Sequence, residues 1–357
     1  MMKKALSLLL ILSLLLSLVA CKRTSPSDQE QSPSLTQSFT DDAGRQVELP
    51  QEIQKIVPSA SLAQIVLLTL APEMFVGLAS EAKEAERGIL PDVIFSLPYF
   101  GSLYAGAELN VEELARSAPD LIIDMGEAKP STKEDLDALQ QQTTIPCVFI
   151  SLSLENMGQS YRTLGKLLGK EERAEELAQF CEKVYSRTLS IMEKVGENKA
   201  NCLYVLGQEG LNVIAANSYH AELLDLLTNN LAVVDNPLSK GSGNQVTMEQ
   251  ISLWNPDFVI FGPDSIYSSV KELSPWNQVA AIVQGSYVEV PQIPYNWMSM
   301  PPSVQRYLGL IWLPSVLYPE YCYYDAQAEI AEFFRLFYGC TLSPEQYETM
   351  TAKAFPR

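Results

Sequence analysis

From Gln54 onward, short apolar runs alternate with stretches in which apolar residues recur every three or four positions. Buried runs separated by helical patterns predict βα units stacked on parallel sheets. In the first half, Lys55–Pro58, Met74–Ala79, Leu121–Met125 and Cys147–Ser151 read as strands. Helices are expected between them at Leu62–Leu70, Val111–Ser117 and Thr132–Gln142. The second half repeats the arrangement, with strands at Asn201–Leu206, Leu231–Val234, Phe258–Phe261 and Ser286–Val290. Its helices fall near Tyr219–Thr228, Thr247–Trp254 and Ser265–Glu272, with more helix from Ser303 onward.

Between the halves, Ala174, Leu177, Ala178, Cys181, Val184, Tyr185, Leu189, Met192 and Val195 follow one helical stripe. Glu171 and Glu172 suit its first turn, where carboxylates complement the helix dipole. A helix from Glu171 to Val195 would run about 37 Å at 1.5 Å per residue, long enough to brace two lobes. An internal echo supports two similar lobes. Asn110-Val111-Glu112-Glu113-Leu114 leads to Ala118-Pro119-Asp120 and an apolar run; Val246-Thr247-Met248-Glu249-Gln250-Ile251 leads to Asn255-Pro256-Asp257 and another. In each, a short acidic helix meets a proline that disfavours its continuation, and a buried strand follows. The fold class expected is therefore α/β, two lobes of parallel-type sheet with flanking helices, joined by a long rigid helix.

The first residues bear on compartment rather than fold. Lys3 and Lys4 precede an apolar stretch, Ala5 to Ala20, too short to span a bilayer and suited to a secretory signal. It ends in Leu18-Val19-Ala20-Cys21, which resembles the lipobox of bacterial lipoproteins, whose cysteine is diacylated. Two acyl chains anchor stably where one does not. Residues 22–38 are rich in Ser, Thr, Gln and Pro and read as a flexible tether. The expected organisation is 1–20 signal peptide, 21–38 anchored linker, 39–165 first lobe, 166–197 connecting helix and 198–357 second lobe. Without Lys3 and Lys4, the formal charge of −18 becomes −20, which makes nucleic acid and anionic lipid surfaces poor partners. Besides Cys21 there are Cys147, Cys181, Cys202, Cys322 and Cys340, an odd number with no CxxC spacing. Cys322–Cys340 is the one pair worth considering as a bridge.

Catalytic inventory is thin. A single histidine, His220, excludes HExxH and other multi-histidine zinc sites. There is no G-x-S-x-G elbow, and Lys240-Gly241-Ser242-Gly243-Asn244 lacks P-loop spacing. No carboxylate pair has a spacing that marks it as acid and base. His220 opens a helix after an apolar run ending near Ala215; it either faces a ligand crevice or is a first-turn surface residue. Trp297, Tyr295, Tyr99, Phe100 and Tyr104 offer flat surface for a macrocycle or catecholate, the alternative being core packing.

Three motifs in order carry a family resemblance over roughly Phe39 to Tyr338. They are Asp41-Asp42-Ala43-Gly44-Arg45-Gln46-Val47-Glu48-Leu49-Pro50, the doubled acidic-helix and Pro-Asp signature, and Asn296-Trp297 followed by Pro301-Pro302-Ser303. The chain resembles the periplasmic-binding-protein family for iron-siderophore, haem and cobalamin uptake. The resemblance implies a ligand cleft between the lobes, small closure motions, and delivery to an ABC permease with its ATPase. It also implies permease docking by Glu112 and Glu249 and no catalysis; Trp297, Tyr295, Asn296, Tyr104, Tyr99 and His220 are the candidates for ligand contact. Ser299 and Met300 stand where many siderophore-type relatives carry Asp and Arg, so a strongly anionic ligand is less expected. The bare-metal importers of the superfamily use several histidines, which this chain lacks. The expected protein is a monomeric, lipid-anchored extracytoplasmic receptor on the cell surface or in the periplasm. Its ligand would be a ferric chelate, haem or corrinoid, with no resident cofactor or protein-held metal. A lipid-anchored hydrolase, and a sensor or adhesin on the same scaffold, are the alternatives.

Overall fold

The computed structural model describes residues 36–102 and 110–356. The leader, Cys21, most of the tether and Tyr104 lie outside the described residues. The described chain opens with an antiparallel hairpin of β1 (Thr36–Thr40) and β2 (Gln46–Pro50), with Phe39 opposite Val47. Its turn is organised by Asp41, whose Oδ1 accepts from the amides of Ala43 and Arg45 at 3.1 and 2.8 Å. Gly44 holds φ at +75°, a conformation costly for any residue with a Cβ. Buried Arg45 then reaches Asp41, Asp137, Gln140 and the carbonyl of Cys147. These partners offset the cost of burying the guanidinium, and they staple the hairpin to the first sheet.

That sheet is β3 (Ile56–Pro58), β4 (Leu121–Gly126) and β5 (Cys147–Ser151), parallel in that order, with Val57 beside Ile122 and Ile123 beside Val148. Nearly every residue of it is buried, as parallel strands covered on both faces require. The strand expected at Met74–Ala79 is not continuous. Pro72–Met74 forms a tight turn, and Val76 and Leu78 make only isolated pairings with Ile56 and Pro98.

The second sheet contains β6 (Asn201–Leu206), β7 (Asn212–Val213), β8 (Asn229–Asn230), β9 (Asn244–Gln245), β10 (Phe258–Phe261) and β11 (Tyr287–Glu289). β6, β10 and β11 run parallel; β7 and β9 extend the sheet antiparallel. Leu231–Val234 is not a strand: pairing beside β6 stops near Leu231, and Val233 turns to solvent. Ser265–Glu272 holds one tight turn, Ile266–Ser268, in place of the expected helix.

The internal echo is structural. Helices Val111–Ser117 and Met248–Trp254 are capped by Asn110 and Thr247, and each ends on a left-handed residue, Ala118 or Asn255. Proline and aspartate then turn the chain into β4 and β10. The helix Glu171–Val195 spans the predicted residues and packs against Ser61–Leu70 of the first lobe and Arg306–Leu317 of the second. Its buried stripe includes Phe180 and Thr188, whereas Leu189 is 43% exposed and lies off it. Cys147, Cys181, Cys202, Cys322 and Cys340 are all free, so Cys322 and Cys340 are not bridged.

Candidate functional site

Parallel strands end on the same side, and the loops leaving them build a crevice. Here Gly126-Glu127-Ala128 leaves β4, and Ser151–Asn156 leaves β5. The second lobe faces them with Asn217–Leu226, and the long helix contributes Tyr185. Between these walls lies a cavity of about 620 Å³. A smaller one, about 170 Å³, adjoins it at the start of the helix Ser61–Leu70, lined in part by Asp124, Lys129, His220 and Pro301. Gly126, Glu127 and Tyr219 line both.

Tyr219 partitions the space. Its Oη donates to the carbonyl of Leu152 at 2.8 Å, and the Arg306 guanidinium lies 5.3 Å from its ring centroid. Burial pushes the Tyr219 phenol up to about 12, so it remains a donor at neutral pH. Gly126 opposes it with φ at +141°, and a Cβ there would approach Leu62 and the Tyr219 hydroxyl.

Glu222 joins the lobes a second time. Its Oε1 accepts from the amide of Leu154 at 2.7 Å, and its Oε2 pairs with Arg306, only 1% exposed. Tyr307 donates to the carbonyl of Leu154 at 2.6 Å. Both backbone polar groups of Leu154 are therefore satisfied from the second lobe, as buried polar groups must be. Asp225 accepts from the Asn217 amide and the Asn230 side chain, each at 2.8 Å; burial nonetheless raises its carboxyl above the usual range.

His220 lies half-buried on the smaller cavity, its Nδ1 2.6 Å from the carbonyl of Ser299. Burial lowers its pKa below 6.5, the Ser299 bond opposes this, and Arg306 and Lys129 lower it further.

Of the described residues expected to touch ligand, only His220 lines either cavity. Trp297 is 0% exposed; its Nε1 donates to Ile293 at 3.0 Å and its ring packs edge-on against Trp312. Gly309 makes room for the Trp297 backbone, where a Cβ would lie 2.4 Å from the Trp297 carbonyl oxygen. Trp297 is thus core between its loop and the helix Arg306–Leu317. Asn296 is buried and occupied with its own loop, while Tyr295 packs against the main core, which pushes its phenol well up. Phe100 is buried core under Gly77, and Tyr99 is an exposed residue bridged to Leu78. Glu112 and Glu249 occupy equivalent second positions of the two echo helices, both exposed. Glu112 pairs with Arg116; Glu249 has no ion pair among the described residues, and hydrogen bonds from its own amide and from the Thr247 hydroxyl lower its pKa.

Tyr219, Glu222 and Arg306 escape the sequence. Tyr219 adjoins His220 in a loop already suspect, but Glu222 and Arg306 look like ordinary helix charges until the lobes meet. Among the described residues, no three His, Cys, Asp or Glu side chains are placed to hold a metal ion. No described helix is long and apolar enough to cross a membrane.

None of the curated proteins matches the chain. An ABC transporter solute binding protein from Sulfurospirillum deleyianum has a similar structure, with a TM-score of 0.81 at 26% identity over 88% of this chain and 99% of that one. A periplasmic solute binding protein from Veillonella parvula gives 0.72 at 24%, over 89% and 98% of the two chains. The molybdate periplasmic binding protein of Haemophilus influenzae, bound to molybdate, gives 0.69 at 17%, over 86% and 99%. These last two share the fold. A family model described as periplasmic binding protein matches residues 97–292. The chain accordingly belongs to the periplasmic binding protein family, whose members are transport-associated binders rather than enzymes and take a small ligand outside the cytoplasm to an ABC permease and its ATPase.

Proposed function

We propose that the interlobe cavity receives a preformed metal chelate or corrinoid. The observation that carries this is the lining of the larger cavity. Glu127, Glu222 and Asp225 stand with Tyr185 and Tyr219 around about 620 Å³, and no lysine or arginine is among its described lining residues. A chelate brings its own metal donors, so the protein supplies shape, aromatic surface and a few hydrogen bonds. An acidic wall repels carboxylates and catecholates, which ranks a corrinoid or a neutral ferric chelate ahead of haem or a tris-catecholate. A second reading comes from the smaller cavity. The helix Ser61–Leu70 starts there without a side-chain cap, near Lys129, an arrangement that suits an oxyanion such as the molybdate of the Haemophilus protein.

Calorimetric titration with cobalamin, ferric siderophores, haem, molybdate and bare metal ions tests both. Binding of cobalamin or a neutral siderophore supports the first reading. Molybdate binding alone supports the second, and tight binding of a bare ion with no chelate refutes the first. The proposal extends to a monomeric receptor held at the membrane through acylated Cys21, with Glu112 and Glu249 docking the permease. Cys21→Ser should release the protein from membranes; continued membrane attachment without acylation would remove the anchor.

A further inference from the structure

We propose that Asn296 is a positioning residue that sets the tautomer of His220 and makes the smaller cavity wall an obligate acceptor. Asn296 is 2% exposed, and its Oδ1 gathers three backbone amides: Met298 at 2.9 Å, Ser299 at 2.8 Å and Met300 at 3.3 Å. Its Nδ2 donates to the hydroxyl of Tyr204 at 3.3 Å, a fully buried residue of β6. The loop 298–300 is thereby wrapped around one oxygen and tied to the middle of the second sheet. Local side-chain bonds of this kind fix loop conformation where no ladder does.

What the loop holds still is the carbonyl of Ser299, which meets His220 Nδ1 at 2.6 Å. A carbonyl oxygen only accepts, so the ring hydrogen sits on Nδ1. Nε2 then carries the lone pair, and among the described residues it has no protein partner. A histidine free in water favours the opposite tautomer, so the protein imposes this one. Burial, with Arg306 and Lys129 nearby, keeps the ring neutral at pH 7. His220 lines the smaller cavity beside Tyr219, Lys129 and Pro301. The ligand group that meets it there is an N–H or O–H donor, or another electron-pair acceptor. That consequence rests on the cleft reading above, with the ligand reaching from the larger cavity into the adjoining smaller one; the tautomer does not.

The chain has one histidine, so ¹⁵N-labelled protein gives a single imidazole in long-range proton–nitrogen spectra. At neutral pH the wild type should show a pyrrole-like Nδ1 and a pyridine-like Nε2. Asn296→Ala should shift the pair toward the reverse pattern. Asn296→Asp, whose carboxylate still accepts the three amides, should restore the wild-type pattern. A proton on Nε2 in the wild type overturns the proposal without recourse to any variant. A wild-type pattern in folded Asn296→Ala overturns the role of Asn296. For the ligand, His220→Phe should weaken cobalamin binding about three- to tenfold, the worth of one hydrogen bond. Unchanged cobalamin affinity with the tautomer intact would reject the ligand consequence alone.

Discussion

The phenol of Tyr219 is hydrogen-bonded to the carbonyl of Leu152 at 2.8 Å, and this bond ties the second lobe to the loop leaving β5. Leu152 is buried, so removing the donor leaves a carbonyl without its partner. Tyr219→Phe should destabilise the protein by about 1–3 kcal/mol, the cost of an unsatisfied buried acceptor. The measurement is a lower urea midpoint with unchanged slope. An unchanged midpoint would mean that water satisfies Leu152 in the variant.

Trp297 is placed to matter for stability rather than for ligand. Trp297→Ala removes a fully buried indole beside Trp312 and should cost about 3–5 kcal/mol. Ligand affinity at temperatures where the variant stays folded should change little. Lost affinity with an unchanged unfolding midpoint would return Trp297 to the cleft wall.

His220 should titrate below 6.5 in the ligand-free protein. Its surroundings are the Ser299 carbonyl, Arg306, Lys129 and the Tyr219 ring, with Asp124 and Glu127 on the same cavity. Because the folded state holds the ring neutral, the unfolded chain binds the proton first as pH falls. Its contribution to stability is therefore present above 6.5 and declines below it. Lys129→Gln should move the midpoint upward. A midpoint above 6.5 by nitrogen chemical shift would contradict the burial of the ring.

Glu112 and Glu249 should act on transport without acting on ligand. The double variant Glu112→Ala, Glu249→Ala should bind ligand as the wild type does and support less uptake through the permease. The two positions differ: Glu112 is shared with Arg116, whereas Glu249 stands without an ion pair among the described residues. Exposed pairs contribute about 0.2–1 kcal/mol each, so Glu249→Ala should be the larger single effect and the double variant the clearest. Normal uptake by the double variant would end the docking assignment.

The apolar periodicity by itself determined the long helix Glu171–Val195, the core strands Cys147–Ser151, Asn201–Leu206 and Phe258–Phe261, and the echo helices capped by Asn110 and Thr247. These depend on local spacing, capping and burial on every side, which the order of residues encodes directly. Strands near Met74 and Leu231 failed because pairing there depends on where Pro98 and Cys202 come to rest, not on the run itself. Only the tertiary structure decided which residues line the cleft. In the sequence Trp297 is the leading ligand candidate and His220 is as well read as a surface residue, yet the helix Arg306–Leu317 buries the first and the crevice receives the second. Glu222 and Arg306 stand 84 positions apart and acquire meaning only when the fold brings their charges together beside Leu154. A charge's role is set by its partner and its distance from water, and neither is a local property of the chain.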